Sequence, residues 1–250
     1  MQLVLLTAFG VGGATIIGAL LGFLTKKASH KFSDIIMGFA AGVMMSAAVI
    51  GLVIPSLEYG EKPMALIVTV IGIFCGAFCI NLLDKLVPHL HGIAGMDDGE
   101  SKGQLDKVLL FVVAIGIHNL PEGIAAGVSF GTDNVTDALL VAGGIALQNI
   151  PEGMVIIAPL LAIGVKPLRT FLIAATTGVI EVVGTLVGFF AVNISVMILP
   201  FALAFAGGTM IYVVSDEMIP ETHAHGNEMG ATYALLVGFC VMIGMDYLLG

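Results

Sequence analysis

Eight apolar runs, each about twenty residues long, leave this chain few ways to fold. They fall near residues 2–24, 34–57, 63–86, 106–128, 137–163, 169–193, 196–218 and 230–249. A helix needs about twenty residues to cross a hydrocarbon core of roughly 30 Å. Lipid offers the backbone no hydrogen-bond partner, so each run must satisfy its own N–H and C=O groups as a helix. The reading is an all-α membrane protein with eight transmembrane helices in a single domain, residues 1–250. Glycines recur at small-xxx-small spacing, as in Gly18/Gly22, Gly38/Gly42 and Gly72/Gly76. That spacing lets helix backbones approach closely where no hydrophobic force separates helix from lipid.

Composition excludes the soluble alternative. Charged residues make up 11% of the chain and mean hydropathy is +1.07, whereas an ordinary soluble domain is about 25% charged. A net charge of −9 with nine basic residues leaves no cationic patch for nucleic acid. Cys75, Cys79 and Cys240 read as small packing residues inside membrane helices rather than as a thiolate site. Residues 2–24 lack a basic leader and exceed the ~7–15 apolar residues of a signal peptide, so they read as a retained first span.

Basic residues set the expected orientation. Of the nine, only Lys62 falls on a different side from Lys26, Lys27, Lys31, Lys85, Lys102, Lys107, Lys166 and Arg169. That shared face should be cytoplasmic, which places both termini outside a multi-pass cell (inner) membrane protein.

Ionisable groups in the middle of a span are costly and usually mark a site or a path. Three stand out, Glu122, Glu152 and Glu181, in the fourth, fifth and sixth runs. The first belongs to His118-Asn119-Leu120-Pro121-Glu122-Gly123, and the second to Gln148-Asn149-Ile150-Pro151-Glu152-Gly153 thirty residues on. Spacings of three and four put His118, Asn119 and Glu122 on one helix face, and Gln148, Asn149 and Glu152 on another. With Glu181 these faces would form a cage of three carboxylates, one imidazole and three amides. Imidazole and oxygen donors without thiolate suit reversible binding of a divalent transition metal rather than a closed structural zinc site. Met44 and Met45 could add a thioether. Pro121 and Pro151 each remove a backbone donor and are expected to kink their helices, a way transporters expose backbone oxygens to cations.

Two polar segments lie outside this core. Residues 87–105 hold His89, His91, Asp97, Asp98 and Glu100; the end of the seventh run and the loop after it hold Asp216, Glu217, Glu221, His223, His225 and Glu228. Each reads as a solvated loop or as a weak metal station at a path's exit.

At these residues the chain resembles the ZIP family of divalent metal transporters, most closely its bacterial zinc-uptake members. The two Asn-x-Pro-Glu-Gly motifs, Glu181, Ser215-Asp216-Glu217-Met218-Ile219-Pro220 and Gly38-Phe39-Ala40-Ala41-Gly42 carry the likeness. The resemblance implies an inverted repeat of spans 1–3 and 6–8 around spans 4–5, a binuclear site and homodimers. One ion would use His118, Glu122, Gln148, Glu152 and a methionine of span two; the other would use Asn119, Glu122, Asn149, Glu152 and Glu181. It also implies cargo moving toward the cytoplasm, zinc first, with iron, manganese or cadmium as further candidates and no resident cofactor. Members commonly place His where Gln148 stands and some place Asp where Asn149 stands, so this chain departs toward weaker ligands.

The leading reading is a carrier that alternates access around a midplane site. A selective metal channel would use the same ligands along a continuous pore. An intramembrane metalloenzyme is a remote alternative, because the two-histidine pair of zincins is missing. A membrane metal sensor would leave the buried carboxylates unexplained. No phosphate-cradling Gly-x-x-x-x-Gly-Lys-Ser/Thr motif is present, which argues against ATP hydrolysis.

Overall fold

The computed structural model describes residues 1–25, 29–59, 61–93, 116, 119–132, 134–162, 164–194 and 198–249. Among these residues there is no β-strand, and the apolar runs become helices. In order they are α1 (Gln2–Thr25), α2 (His30–Ala48), α3 (Ile54–Glu58), α4 (Met64–Ile93), α5 (residues 119–129), α6 (Val135–Ala162), α7 (Pro167–Ile194), α8 (Leu199–Val213), α9 (Ile219–Thr222) and α10 (Glu228–Leu249). Seven of the described helices, counting α2–α3 and α8–α9 as continuous rods, are long and apolar enough to cross a membrane. The fourth expected span, 106–128, is described only at Gly116 and from Asn119 onward. The segment expected as a polar loop at 87–105 begins as helix, since α4 runs to Ile93; residues 94–105 lie outside the described residues.

Polarity is distributed inside out, as a bilayer requires. Asn119, Glu122, Gln148, Asn149 and Glu181 are buried, while Phe74, Phe78, Leu168, Leu236 and Tyr247 are exposed. So much outward apolar surface would drive a soluble protein to aggregate. In lipid it is the solvated face, and the chain is a multi-pass membrane protein. Cys75 and Cys240 also face outward, which corrects their expected role as core-packing residues.

Glycines let the helices touch backbone to backbone. A Cβ on Gly18 of α1 would collide with the carbonyl of Ile150 in α6, and one on Gly153 with the carbonyl of Thr15. Between α5 and α7, Gly123 faces the carbonyl of Glu181 and Gly184 that of Leu120. Similar approaches join α2 to α10, through Gly42 on Leu235 and Gly238 on Phe39, and α4 to α8, through Gly76 on Phe205 and Gly208 on Ile73. One group of helices is therefore α1, α5, α6 and α7, and the other α2, α4, α8 and α10. They meet where α2 packs on α6, around a core containing Met44, Ala47, Leu52, Val128, Val141, Ile145 and Met210.

The π-helical turns lie away from the prolines of the two motifs. Helix α6 runs unbroken through Pro151, and residues 119–129 are helical through Pro121. The π-helical turns instead sit at Val49–Val53 and Val214–Met218, two residues before Pro55 and Pro220. There Ile54 N–H bonds the carbonyl of Val49 and Ile219 N–H that of Val214, five residues back in each case. Proline cannot donate to the carbonyl four residues before it, and widening the preceding turn absorbs that defect.

Candidate metal centre

The two motif helices and α7 bring their polar residues to one buried cluster. Glu181 is fully buried, and its carboxylate accepts three side-chain hydrogen bonds. Thr15 Oγ1 donates to Oε1 at 2.7 Å, Asn149 Nδ2 to Oε2 at 2.6 Å, and Asn119 Nδ2 also to Oε1. Asn149 Nδ2 reaches the carbonyl of Val11 as well, at 3.3 Å. Beside this, Gln148 Nε2 donates to Glu122 Oε1 at 2.7 Å. A carboxylate can only accept, so the amide nitrogens face the glutamates and the amide oxygens face away. The spacing of three and four along α5 and α6 makes this possible, since it sets each motif's polar residues on one helix face.

Among the described residues of this cluster, four buried oxygens have no hydrogen-bond partner: Asn119 Oδ1, Asn149 Oδ1, Gln148 Oε1 and Glu122 Oε2. Every one is an acceptor. Glu122 and Glu181 also lack a Lys or Arg ion-pair partner among the described residues. Buried acceptors and carboxylates left in this state cost free energy unless a cation or protons compensate them. The donor set is oxygen-rich and amide-rich. Among the described residues, His, Cys, Asp and Glu alone do not gather in threes that could hold a metal.

Glu152 is half-buried and, with Glu122, lines one end of a cavity of about 410 Å³. The walls continue past Val155, Met37, Val213 and Met218 to Asp216, Glu217 and Glu221. The acidic segment expected as a loop station is thus partly the wall of this cavity. Its histidines are engaged elsewhere: His225 Nδ1 pairs with buried Asp34 Oδ1 at 3.0 Å and its ring stacks on His30, while His223 meets Thr232. Asn227 Nδ2 donates to the other Asp34 oxygen at 2.8 Å, tying the loop before α10 to the start of α2.

Of the expected ligands, Asn119, Glu122, Gln148, Asn149 and Glu181 are brought together, and Glu152 joins through the cavity. His118 lies outside the described residues. Met44 is buried in the main core and Met45 packs at its edge; the thioethers among the described cavity-lining residues are Met37 and Met218. Thr15 was not anticipated, because a lone threonine in an apolar helix carries no local signal.

A family model described as ZIP zinc transporter matches residues 89–246. The chain belongs to the ZIP zinc transporter family. Zinc transporter GufA of Myxococcus xanthus is 38% identical over 244 residues, covering 96% of each chain. Zinc transporter ZIPB of Bordetella bronchiseptica is 38% identical over 95% of this chain and 78% of its own length. Zinc transporter ZupT of Chlorobaculum parvum is 36% identical over 92% and 91%. This is a family of transporters, so the metalloenzyme reading falls away.

Proposed function

We propose that this ZIP protein carries divalent transition-metal ions, zinc foremost and iron, manganese or cadmium as further cargo, across the cell membrane into the cytoplasm. The observation that carries the reading is the set of four buried acceptor oxygens without donors, on the residues whose spacing predicts a cation site. Two ions fit the two hydrogen-bond groupings. One ion sits at Glu122, Gln148 and Glu152, completed by His118 and a span-two methionine, Met44 or Met45. The other sits at Asn119, Asn149 and Glu181, with Glu122 and Glu152 between the two. The ions are substrate, and bind reversibly because no thiolate contributes.

The cavity supports the inward direction. It runs from Glu122 and Glu152 to Asp216 and Glu221, at the same end as His30, Lys31 and the loop before α10. That end carries Lys31, and the basic loops expected from the sequence on the same side argue that it faces the cytoplasm, with both termini outside. Alternating access needs two packed units that can move against each other. The two helix groups, with the site held in the one containing α5 and α6, supply them.

An inverted repeat accounts for the glycine contacts. Thr15 and Glu181, Gly18 and Gly184, Phe39 and Phe205, and Gly42 and Gly208 are each 166 residues apart, and each pair occupies matching contacts. Likewise Ile73 and Leu235, and Gly76 and Gly238, are each 162 apart, while Gly123 and Gly153 differ by 30. These matching offsets support a mapping of spans 1–3 onto spans 6–8, with span 4 exchanging for span 5. A homodimer belongs to the same reading.

The test is metal uptake into proteoliposomes across zinc, iron, manganese and cadmium, with His118→Ala and Glu181→Ala as controls. Saturable uptake lost in both variants is expected; uptake unchanged in both would sink the site. Unitary conductance in planar bilayers would replace the carrier with a channel.

A further inference from the structure

We infer that Thr15 of α1 is a positioning residue of the metal centre: its hydroxyl locks Glu181 and, through Glu181, aims the carbonyl oxygens of Asn119 and Asn149 at the ion. The inference rests on the metal site proposed above and adds a residue from a helix that carries none of its ligands.

Geometry supports this in two independent ways. First, Thr15 is fully buried, and its hydroxyl donates to Glu181 Oε1 at 2.7 Å. The same carboxylate takes the amide N–H groups of Asn119 and Asn149. Three donors on two oxygens leave the carboxylate one arrangement, and that arrangement turns both asparagine oxygens to the side where they meet no protein donor. Without the hydroxyl, Glu181 could rotate and either asparagine could flip its amide, presenting N–H to a cation in place of oxygen.

Second, Thr15 stands where Glu181 stands in the matching helix pair. Its carbonyl lies against Gly153 of the second motif, as that of Glu181 lies against Gly123 of the first. Each motif glycine therefore admits close to its own helix a neighbour whose side chain enters the polar cluster. One position supplies a carboxylate and the other the hydroxyl that holds it. Outer-shell groups that orient ligands in this way change metal affinity by about 10–100-fold when removed.

The test compares the purified full-length protein with Thr15→Val, Thr15→Ser, Glu181→Gln and the Thr15→Val/Glu181→Gln double variant. Zinc affinity is measured by chelator competition, and zinc uptake KM and Vmax in proteoliposomes. Thr15→Val keeps the shape and is expected to weaken zinc binding and raise KM about 10-fold or more at near-unchanged Vmax. Thr15→Ser should restore both to within about 3-fold, and the double variant should be no worse than Glu181→Gln, because the hydroxyl acts only through that carboxylate. Should Thr15→Val fold poorly, the Thr15→Ser and Thr15→Ala pair gives the same contrast. The inference is overturned if Thr15→Val matches wild type while Glu181→Gln is impaired, an outcome that leaves the metal site standing. It is overturned too if the two losses add in the double variant. If Glu181→Gln itself binds and transports as wild type, the metal site falls and the inference with it.

Discussion

Replacing Glu181 by glutamine separates what this carboxylate does for folding from what it does for metal. The three donors aimed at it are Thr15 Oγ1, Asn119 Nδ2 and Asn149 Nδ2. In Glu181→Gln one oxygen remains, and it can keep Thr15 and Asn119 if it takes the Oε1 position. The new amide nitrogen then faces Asn149, which can flip so that its oxygen accepts. That flip gives up the 3.3 Å bond to the Val11 carbonyl. The net structural loss is about one to two hydrogen bonds, roughly 1–3 kcal/mol. The functional loss is larger, because a carboxylate and the Asn149 oxygen both leave the ion. Affinity for zinc should fall by at least ~100-fold, taking the upper end of outer-shell effects as a floor for ligands themselves. Glu181→Leu should cost far more stability, leaving three buried donors unpaired at about 1–3 kcal/mol each, roughly 3–9 kcal/mol, against a total stability of about 5–15 kcal/mol. The assays are chelator competition for zinc and thermal unfolding of metal-free protein in detergent. Zinc affinity of Glu181→Gln within about 3-fold of wild type, or Glu181→Leu as stable as Glu181→Gln, would refute the reasoning.

Gly153→Ala and Gly123→Ala put a methyl into the carbonyls of Thr15 and Glu181 and should each lower stability by about 1–3 kcal/mol. Gly13→Ala, where the methyl meets nothing within 4 Å, should be neutral or stabilising by up to about 1 kcal/mol, and thermal unfolding distinguishes the three. Asp34→Ala strips His225 and Asn227 of their shared buried acceptor and should cost about 1–3 kcal/mol; an unchanged unfolding midpoint would show that the loop before α10 is not held there. Gln148→His supplies a nitrogen ligand favoured by zinc over manganese, so competition binding should shift toward zinc, and an unchanged zinc-to-manganese ratio would place residue 148 away from the ion.

Much of the site is legible locally. Asn119 and Glu122 share a face because a helix repeats every 3.6 residues, and the same rule gathers Gln148, Asn149 and Glu152. Span boundaries follow from the length of apolar runs; α7 at Pro167–Ile194 matches the expected 169–193 closely, whereas α4 runs on to Ile93 past the expected 86. A proline alone does not say where a helix turn widens, because the defect it creates depends on what its helix packs against. Pro151 lies within a continuous α-helix, whereas Pro55 and Pro220 follow π turns.

By itself, then, the sequence determined that the chain lives in lipid, where its helices run, and which two helix faces gather polar residues. These are properties of contiguous residues, set by backbone hydrogen bonding and helical period. The tertiary structure alone decided that Glu181 is held by Thr15, 166 residues away, that amide nitrogens turn toward the glutamates and leave their oxygens free, and that a cavity joins Glu122 and Glu152 to Asp216 and Glu221. Those depend on which helices approach closely enough for backbones to touch, and no periodicity within one segment encodes the partner a glycine will meet.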